Sequence, residues 1–269
     1  MRRTFLASVF LAALAAASPA PAAGLDLSGN GGGAIEVFAD DGIEWEQDAK
    51  RFIARGNARA SRGDVTTSAD ILTAYYRETG AGGTDIHRLE AVGDVRIKST
   101  NDTAYGDAGY YDVDRALLVL TGRNLRLEAG ADVITARDSL EYWGGEVNAA
   151  VARGAAKAVS QGKTLEAAVL TAFFSEIAGK NELTEVKAEG GVTVRTADEV
   201  VKADTGLYDV RKGVVDLVGN VRITRGENQL NGARGRVDLN TGKSRLFGGA
   251  QAGSGTRVKG MLVPKKAGE

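Results

Sequence analysis

Few residues in this chain have the type and spacing that chemistry needs. There is one histidine, His87, and no cysteine in 269 residues. Thiolate catalysis, a disulfide framework and a zinc–thiolate site are therefore excluded, as is any site built on two imidazoles. His87 stands beside the Gly-rich stretch Gly80 to Gly83 and reads as a surface residue. A Ser-His-Asp set lacks its nucleophile motif, because GxSxG does not occur. The carboxylates Asp40-Asp41 and Asp112…Asp114 lack the alternating ligand spacing of a calcium loop. Asp107 and Asp204 resemble acid–base groups at first, since each is followed four residues on by Tyr-Asp (Tyr111-Asp112, Tyr208-Asp209). They recur once in each half of the chain at turn-prone positions, and the reading is structural turns. No catalytic residue, cofactor or metal ligand is expected. The chain is read as a binding or carrier protein.

Those recurrences belong to a duplication, the first thing to settle in a chain of this length. Gly93, Val95, Asp107, Tyr111-Asp112-Val113, Leu120 and Gly122 meet Gly190, Val192, Asp204, Tyr208-Asp209-Val210, Leu217 and Gly219 at a spacing of 97 residues. Arg55-Gly56 and Leu72-Thr73-Ala74-Tyr75-Tyr76 meet Arg153-Gly154 and Leu170-Thr171-Ala172-Phe173-Phe174 at a spacing of 98. Two copies follow, about 36–146 and 147–243. A finer echo links Gly56-Asn57-Ala58-Arg59 with Gly219-Asn220-Val221-Arg222.

Within each copy the period is two. Val95-Arg96-Ile97-Lys98, Leu125-Arg126-Leu127 and Val221-Arg222-Ile223 alternate apolar with charged residues, the pattern of a strand with one dry face. Gly-Asn, Asp-Gly and Arg-Gly pairs read as turns between such strands. An antiparallel sandwich, roll or barrel is the expected class. Leu165 to Leu170 has helix propensity. Its counterpart in the first copy is β-branched (Val65-Thr66-Thr67), and both are expected to be strand. Val95, Ile97, Leu125, Leu127, Val192, Val194, Val221 and Ile223 should face one interior. Arg96, Lys98, Arg126 and Arg222 should face water.

The ends have their own signatures. Arg2-Arg3, an apolar run from Phe5 to Ala17 and then Ala20-Pro21-Ala22 form a secretory signal pattern. The run is shorter than the roughly 20 residues a spanning helix needs. Residues 1–22 are thus expected to be cleaved and the protein exported. Residues 23–34 read as a flexible leader, and 250–269 as a mobile basic tail. A net charge of −1 gives no field that would draw nucleic acid. Composition alone leaves two interiors open: sheets pressed together and full, which medium-sized aliphatics favour, or splayed sheets holding something apolar.

The segments VGDVRIKSTNDTAYGDAGYYDVDRALLVLTG (92–122) and GNVRITRGENQLNGARGRVDLNTGKSRL (219–246) resemble the OstA-like repeat of the LptA family of periplasmic lipopolysaccharide-transport proteins. The Gly-x-Val-x-Ile/Val start, the Ala/Gly-Asp followed by Tyr-Asp, the Leu-x-Gly-Asn-Val-x-Ile core and the Asp-Leu-x-Thr-Gly-Lys end carry the likeness, from about Ile35 to Gly248. It implies an open antiparallel β-jellyroll whose apolar interior takes lipid A acyl chains. The eight interior residues above would then be the ligand-binding set. It also implies LptC-like and LptD-like partners joined by edge-strand pairing, and head-to-tail association of copies. A ligand-free scaffold and a membrane-anchored LptC-like component are the rival readings.

Overall fold

The computed structural model describes residues 35–80, 83–249 and 257–263. The expected signal peptide and leader lie outside the described residues. Among those described there are eighteen strands and no helix, so the all-β expectation holds. Every strand pairing cited below is antiparallel. The chain divides into two compact units: 35–154 with 173–182, and 155–172 with 183–263. They are called the N-terminal and C-terminal units.

The N-terminal unit begins with two short strands, β1 (Glu36–Phe38) and β2 (Gly42–Glu46), both paired with β3 (Arg51–Arg62). A meander follows: β3, β4 (Val65–Glu78), β5 (Thr84–Lys98) and β6 (Asp102–Asp112), each hydrogen-bonded to the next. Strand β6 pairs with β7 (Leu117–Thr121) along its second half and with β8 (Arg126–Ala129) along its first. Next come β9 (Asp132–Thr135), paired with β8, and β10 (Ser139–Trp143), paired with β7 and with β11 (Ala149–Ser160).

The C-terminal unit takes β11 from 155, β12 (Lys163–Ile177) up to 172 and β13 (Lys180–Arg195) from 183. It continues through β14 (Val200–Asp209), β15 (Val214–Arg225) and β16 (Asn228–Asp238), paired in succession. Strand β16 then pairs with β17 (Lys243–Phe247) and β18 (Lys259–Met261). Part of the tail expected to be mobile is therefore a strand, held at Gln229 to Asn231.

The segment with helix propensity is strand. In β12, Leu165, Ala167 and Leu170 are buried while Ala168 is exposed. Glu166 lies 3.8 Å from Lys157 and 3.9 Å from Arg195 on flanking strands. Gln161 and Gly162 have φ of 48° and 76°, the primed hairpin turn that joins β11 to β12. Propensity of a few tenths of a kcal/mol per residue yields to hairpin closure and burial.

The long strands are bent by bulges that repeat through both units. Gly56-Asn57, Gly93-Asp94, Gly154-Ala155, Gly190-Gly191 and Gly219-Asn220 all have positive φ at both residues. Strand register shifts at Arg55/Ala58, Val92/Val95, Glu189/Val192 and Val218/Val221. An extra residue on one strand kinks it and strengthens its twist. These Gly-Asn pairs therefore sit inside strands, where sequence reading placed turns.

Asp107 and Asp204 need the same correction. They lie in strands β6 and β14, each against a bulge or break on the neighbouring strand. A Cβ at Gly219 would collide with the Asp204 carboxylate, and one at Gly122 with Asp107. Asn220 Nδ2 donates to Asp204 Oδ2 at 2.9 Å, and the Arg123 backbone N–H to Asp107 Oδ2 at 3.0 Å. That backbone hydrogen bond, with one from the Arg123 side chain, holds the Asp107 carboxyl below its ordinary range. Asp112 and Asp209 do serve turns, accepting from the Arg115 and Lys212 backbone N–H groups at 3.0 Å. His87 lies within β5 and is half-buried, not at a surface turn.

Candidate functional site: an apolar cavity in the N-terminal unit

The bends give β3 and β5 of the N-terminal unit two interior-facing stretches each, one on either side of the bulge. Strand β5 shows the pattern. Leu89 and Ala91 face inward before Gly93-Asp94, and Val95 and Ile97 after it. Val95 is 1% exposed and Ile97 5%, while Arg96 and Lys98 between and beyond them are exposed. Strand alternation thus places the charges in water and the aliphatics inside.

Between these inner faces lies a cavity of about 280 Å³. Phe52, Ala54 and Ala60 of β3 line it, with Val65, Thr67 and Leu72 of β4. Ile86, Leu89, Val95 and Ile97 of β5 form a further wall, and Tyr111, Leu118 and Leu120 another. Ile35, Val37 and Ile43, around β1 and β2, complete the lining. These three are 39%, 40% and 53% exposed, so that side of the cavity meets solvent. Trp45, also on β2, stacks on Phe52 with ring centroids 5.4 Å apart and donates from Nε1 to Tyr76 Oη at 2.9 Å. That contact fixes the Phe52 ring at the cavity wall. Arg62 is the charged side chain at the end of β3 in the lining.

The outer face of the same strands is a ladder of charge pairs. Arg88 lies 2.7 Å from Glu90, Arg51 2.7 Å from Glu46, and Arg77 2.8 Å from Asp114. The hydrogen bond from Arg77 pulls the Asp114 carboxyl below its ordinary value. Glu141 is more enclosed. Burial pushes its carboxyl up, but hydrogen bonds from Arg153, Ser139 and Trp143 together outweigh this and leave it lowered. Of these groups only Glu90 is among the cavity's lining residues, and it is paired with Arg88. What the arrangement can do is shelter apolar matter.

Seven of the eight expected interior residues are buried: Val95, Ile97, Leu125, Val192, Val194, Val221 and Ile223. Leu127, on β8, is half-buried. Of the eight, Val95 and Ile97 line the cavity. Sequence reading missed Phe52, Leu72, Leu89, Leu118 and Leu120. Leu117 to Leu120 is a continuous apolar run, so no alternation marks its inner side. Leu89 lies ahead of the bulge and outside the clean alternation that follows it.

Fold and cavity together define a class: an antiparallel β protein with an apolar cavity in its N-terminal unit and charge on its outer face. Comparison with known proteins gives the family. The family model of the LptA/(LptD N-terminal domain) LPS transport protein matches residues 36–142 and again 146–243. The chain belongs to this family, and its fold class is all-β with antiparallel strands. An uncharacterised protein of Rhizobium meliloti (strain 1021) is 30% identical over 126 residues, covering 45% of this chain and 66% of that protein. The chain thus spans less than two thirds of that relative. The crystal structure of LptH, the LptA homologous periplasmic component of the lipopolysaccharide transport device of Pseudomonas aeruginosa, aligns over 86% of this chain and 96% of its own. Its identity of 11% and TM-score of 0.22 carry no argument here.

Proposed function

We propose that the protein is a periplasmic carrier that shelters the acyl chains of lipopolysaccharide on their way from the inner to the outer membrane. The cavity of the N-terminal unit, lined by aliphatic and aromatic side chains, is the observation that carries this reading. Each CH₂ kept from water contributes about 0.8 kcal/mol. A lipid with several chains would therefore face a barrier on the order of tens of kcal/mol in bare water. An apolar interior lowers that barrier without a tight site at any one point. Val95 and Ile97 would touch the chains directly, and the charged outer face would keep the carrier soluble. The protein needs no catalytic group for this, and we assign it none.

Partners follow from the strands at the two ends of the described chain. Phe38 and Trp45, on β1 and β2, are 61% and 59% exposed, and Met261 and Leu262, at β18, are 55% and 75% exposed. Large apolar groups on short strands suit addition of a strand from another chain. We assign these two faces to LptC-like and LptD-like jellyrolls and to head-to-tail copies of this protein, an open association rather than a closed ring.

Photo-crosslinking tests the reading. A photoreactive residue at position 97 should capture lipopolysaccharide, and one at position 96 should not, because one step along a strand reverses the face. Equal capture from both positions, or none from either in folded protein, would favour a ligand-free scaffold.

A further inference from the structure

Beyond the carrier reading, we infer that the outer face of the C-terminal unit docks on a bilayer surface that carries anionic phospholipid head groups. The whole-chain charge of −1 conceals an asymmetry between the two units. Residues 155–172 with 183–263 carry fifteen Lys and Arg against ten Asp and Glu, a net +5. Residues 35–154 with 173–182 carry fifteen against twenty-three, a net −8. Within a Debye length of about 10 Å, an anionic surface is attracted to the first and repelled by the second.

Strand register gathers the positive charge on one side of the sheet. Lys202 of β14 lies opposite Arg222 of β15, Arg222 opposite Asn231 of β16, and Asn231 opposite Lys259 of β18. Directly opposed residues share a face. Lys202, Arg222 and Lys259 are exposed, while Val201 and Ile223 beside them are buried on the other face. Three strand spacings make this row about 14 Å wide. Among the described residues, Lys202, Arg222, Arg234, Arg245 and Lys259 form no ion pair and no side-chain hydrogen bond. The four carboxylates of β14 to β18 are engaged elsewhere: Asp204 with Asn220, Asp209 with Lys212, Asp216 with Arg236 and Asp238 with the Thr241 backbone N–H. Like charges set directly opposite weaken a sheet, so the Lys202–Arg222 pair calls for an anion from outside. The matching row of the N-terminal unit is neutralised internally. Tyr105 stands there opposite Arg126, Arg126 lies 2.6 Å from Glu128, and the Arg96 guanidinium sits 5.6 Å over the Tyr105 ring.

Apolar side chains stand among the free cations. Arg234 has Val218 opposite it on one side and Phe247 on the other, and these are 49% and 43% exposed. Leu207, opposite Asp216, is 37% exposed. Such a mixture suits the bilayer interface, where apolar side chains enter the head-group region and Lys and Arg meet phosphates. The core of a protein–protein interface is instead depleted in lysine and rich in aromatic anchors, and the one exposed aromatic ring of β14 to β18 is Phe247.

The test is sedimentation of the purified protein with vesicles of phosphatidylcholine, with or without phosphatidylglycerol. Lipopolysaccharide is absent from these vesicles, so the phosphates read are those of the phospholipid. Binding should require phosphatidylglycerol and fall steeply as salt rises. Each Lys or Arg near an anionic surface contributes about fivefold, so Lys202→Gln with Arg222→Gln should weaken binding roughly twenty-five-fold. Phe247→Ser should weaken it several-fold at every salt concentration, because its contribution is not charge. Arg96→Gln with Arg126→Gln, the same charge change on the N-terminal unit, should leave binding unaltered. All five side chains are exposed, and circular dichroism checks β content in each variant. Equal binding with and without phosphatidylglycerol, or equal loss in the two double variants, would overturn the inference. So would absence of binding in folded protein, which would turn this face toward an acidic protein partner. None of these results touches lipopolysaccharide capture at position 97, on which the carrier reading stands or falls.

Discussion

In the N-terminal unit, Gly93 and Asp94 take positive φ, and the Asp70 carboxylate lies where a Cβ of Gly93 would be. In the C-terminal unit, Gly219 and Asn220 take positive φ against Asp204 in the same way. Behind these matching bends the interiors differ. Leu72 lines an open cavity, while Leu170 is closed in by its neighbours. The bends depend on a backbone conformation that glycine adopts most readily, and each pair opens with a glycine, so they recur with little change. The filling depends on the side chains that meet inside, and these differ between the copies, as Phe52 does from Ala150.

The largest expected effect sets the two leucines against each other. Leu170→Ala should destabilise by about 2–5 kcal/mol, the usual cost of a large-to-small change in a filled core. Leu72→Ala should cost roughly half as much, because part of that side chain already faces open space. Chemical denaturation of both variants measures this, and equal losses would erase the difference between the interiors.

The shared bends predict the opposite outcome, equality. Gly93→Ala and Gly219→Ala should each cost about 1–3 kcal/mol, from the left-handed backbone and the aspartate contact together. Gly226→Ala, with nothing within 4 Å of its Cβ position, should cost less. A large gap between the first two variants would mean that the bulges are not equivalent.

A smaller effect depends on pH. Glu141, whose side chain is 11% exposed, holds Arg153 at 2.7 Å. Its carboxyl is lowered from an ordinary value of 4.5, so folding favours the charged form. That contribution is complete above the unfolded value and fades as pH falls through the lower folded one. The stability difference between the native protein and Glu141→Gln should therefore shrink as pH drops below about 4.5. A difference that grows on acidification would refute the assignment. Smallest of all, Arg96→Ala and Arg222→Ala should change stability by no more than about 0.5 kcal/mol, since both side chains are exposed on the outer face.

Much of this was legible in the residues. Alternation in Val95-Arg96-Ile97-Lys98 set which side of the strand is dry, because neighbouring side chains on a strand must point apart. The match of Leu165-Glu166-Ala167 to a β-branched partner in the first copy identified a strand despite its helix propensity. The repeated glycines were visible too, but their role was not. A Gly-Asn pair reads the same in a turn and in a bulge, and only the register of the neighbouring strand separates them. Asp107 and Asp204 were misread for that reason. Their partners stand 16 residues away, Asn220 on β15 and Arg123 in the break between β7 and β8.

The sequence by itself determined the class of fold, the duplication and the inward set, since these follow from local periodicity and self-similarity. Only the folded chain shows where the apolar cavity lies. It brings Ala60 and Leu72 together with Leu118 and Leu120, some fifty residues along the chain. A strand's pattern states where its side chains point and carries no measure of what they meet.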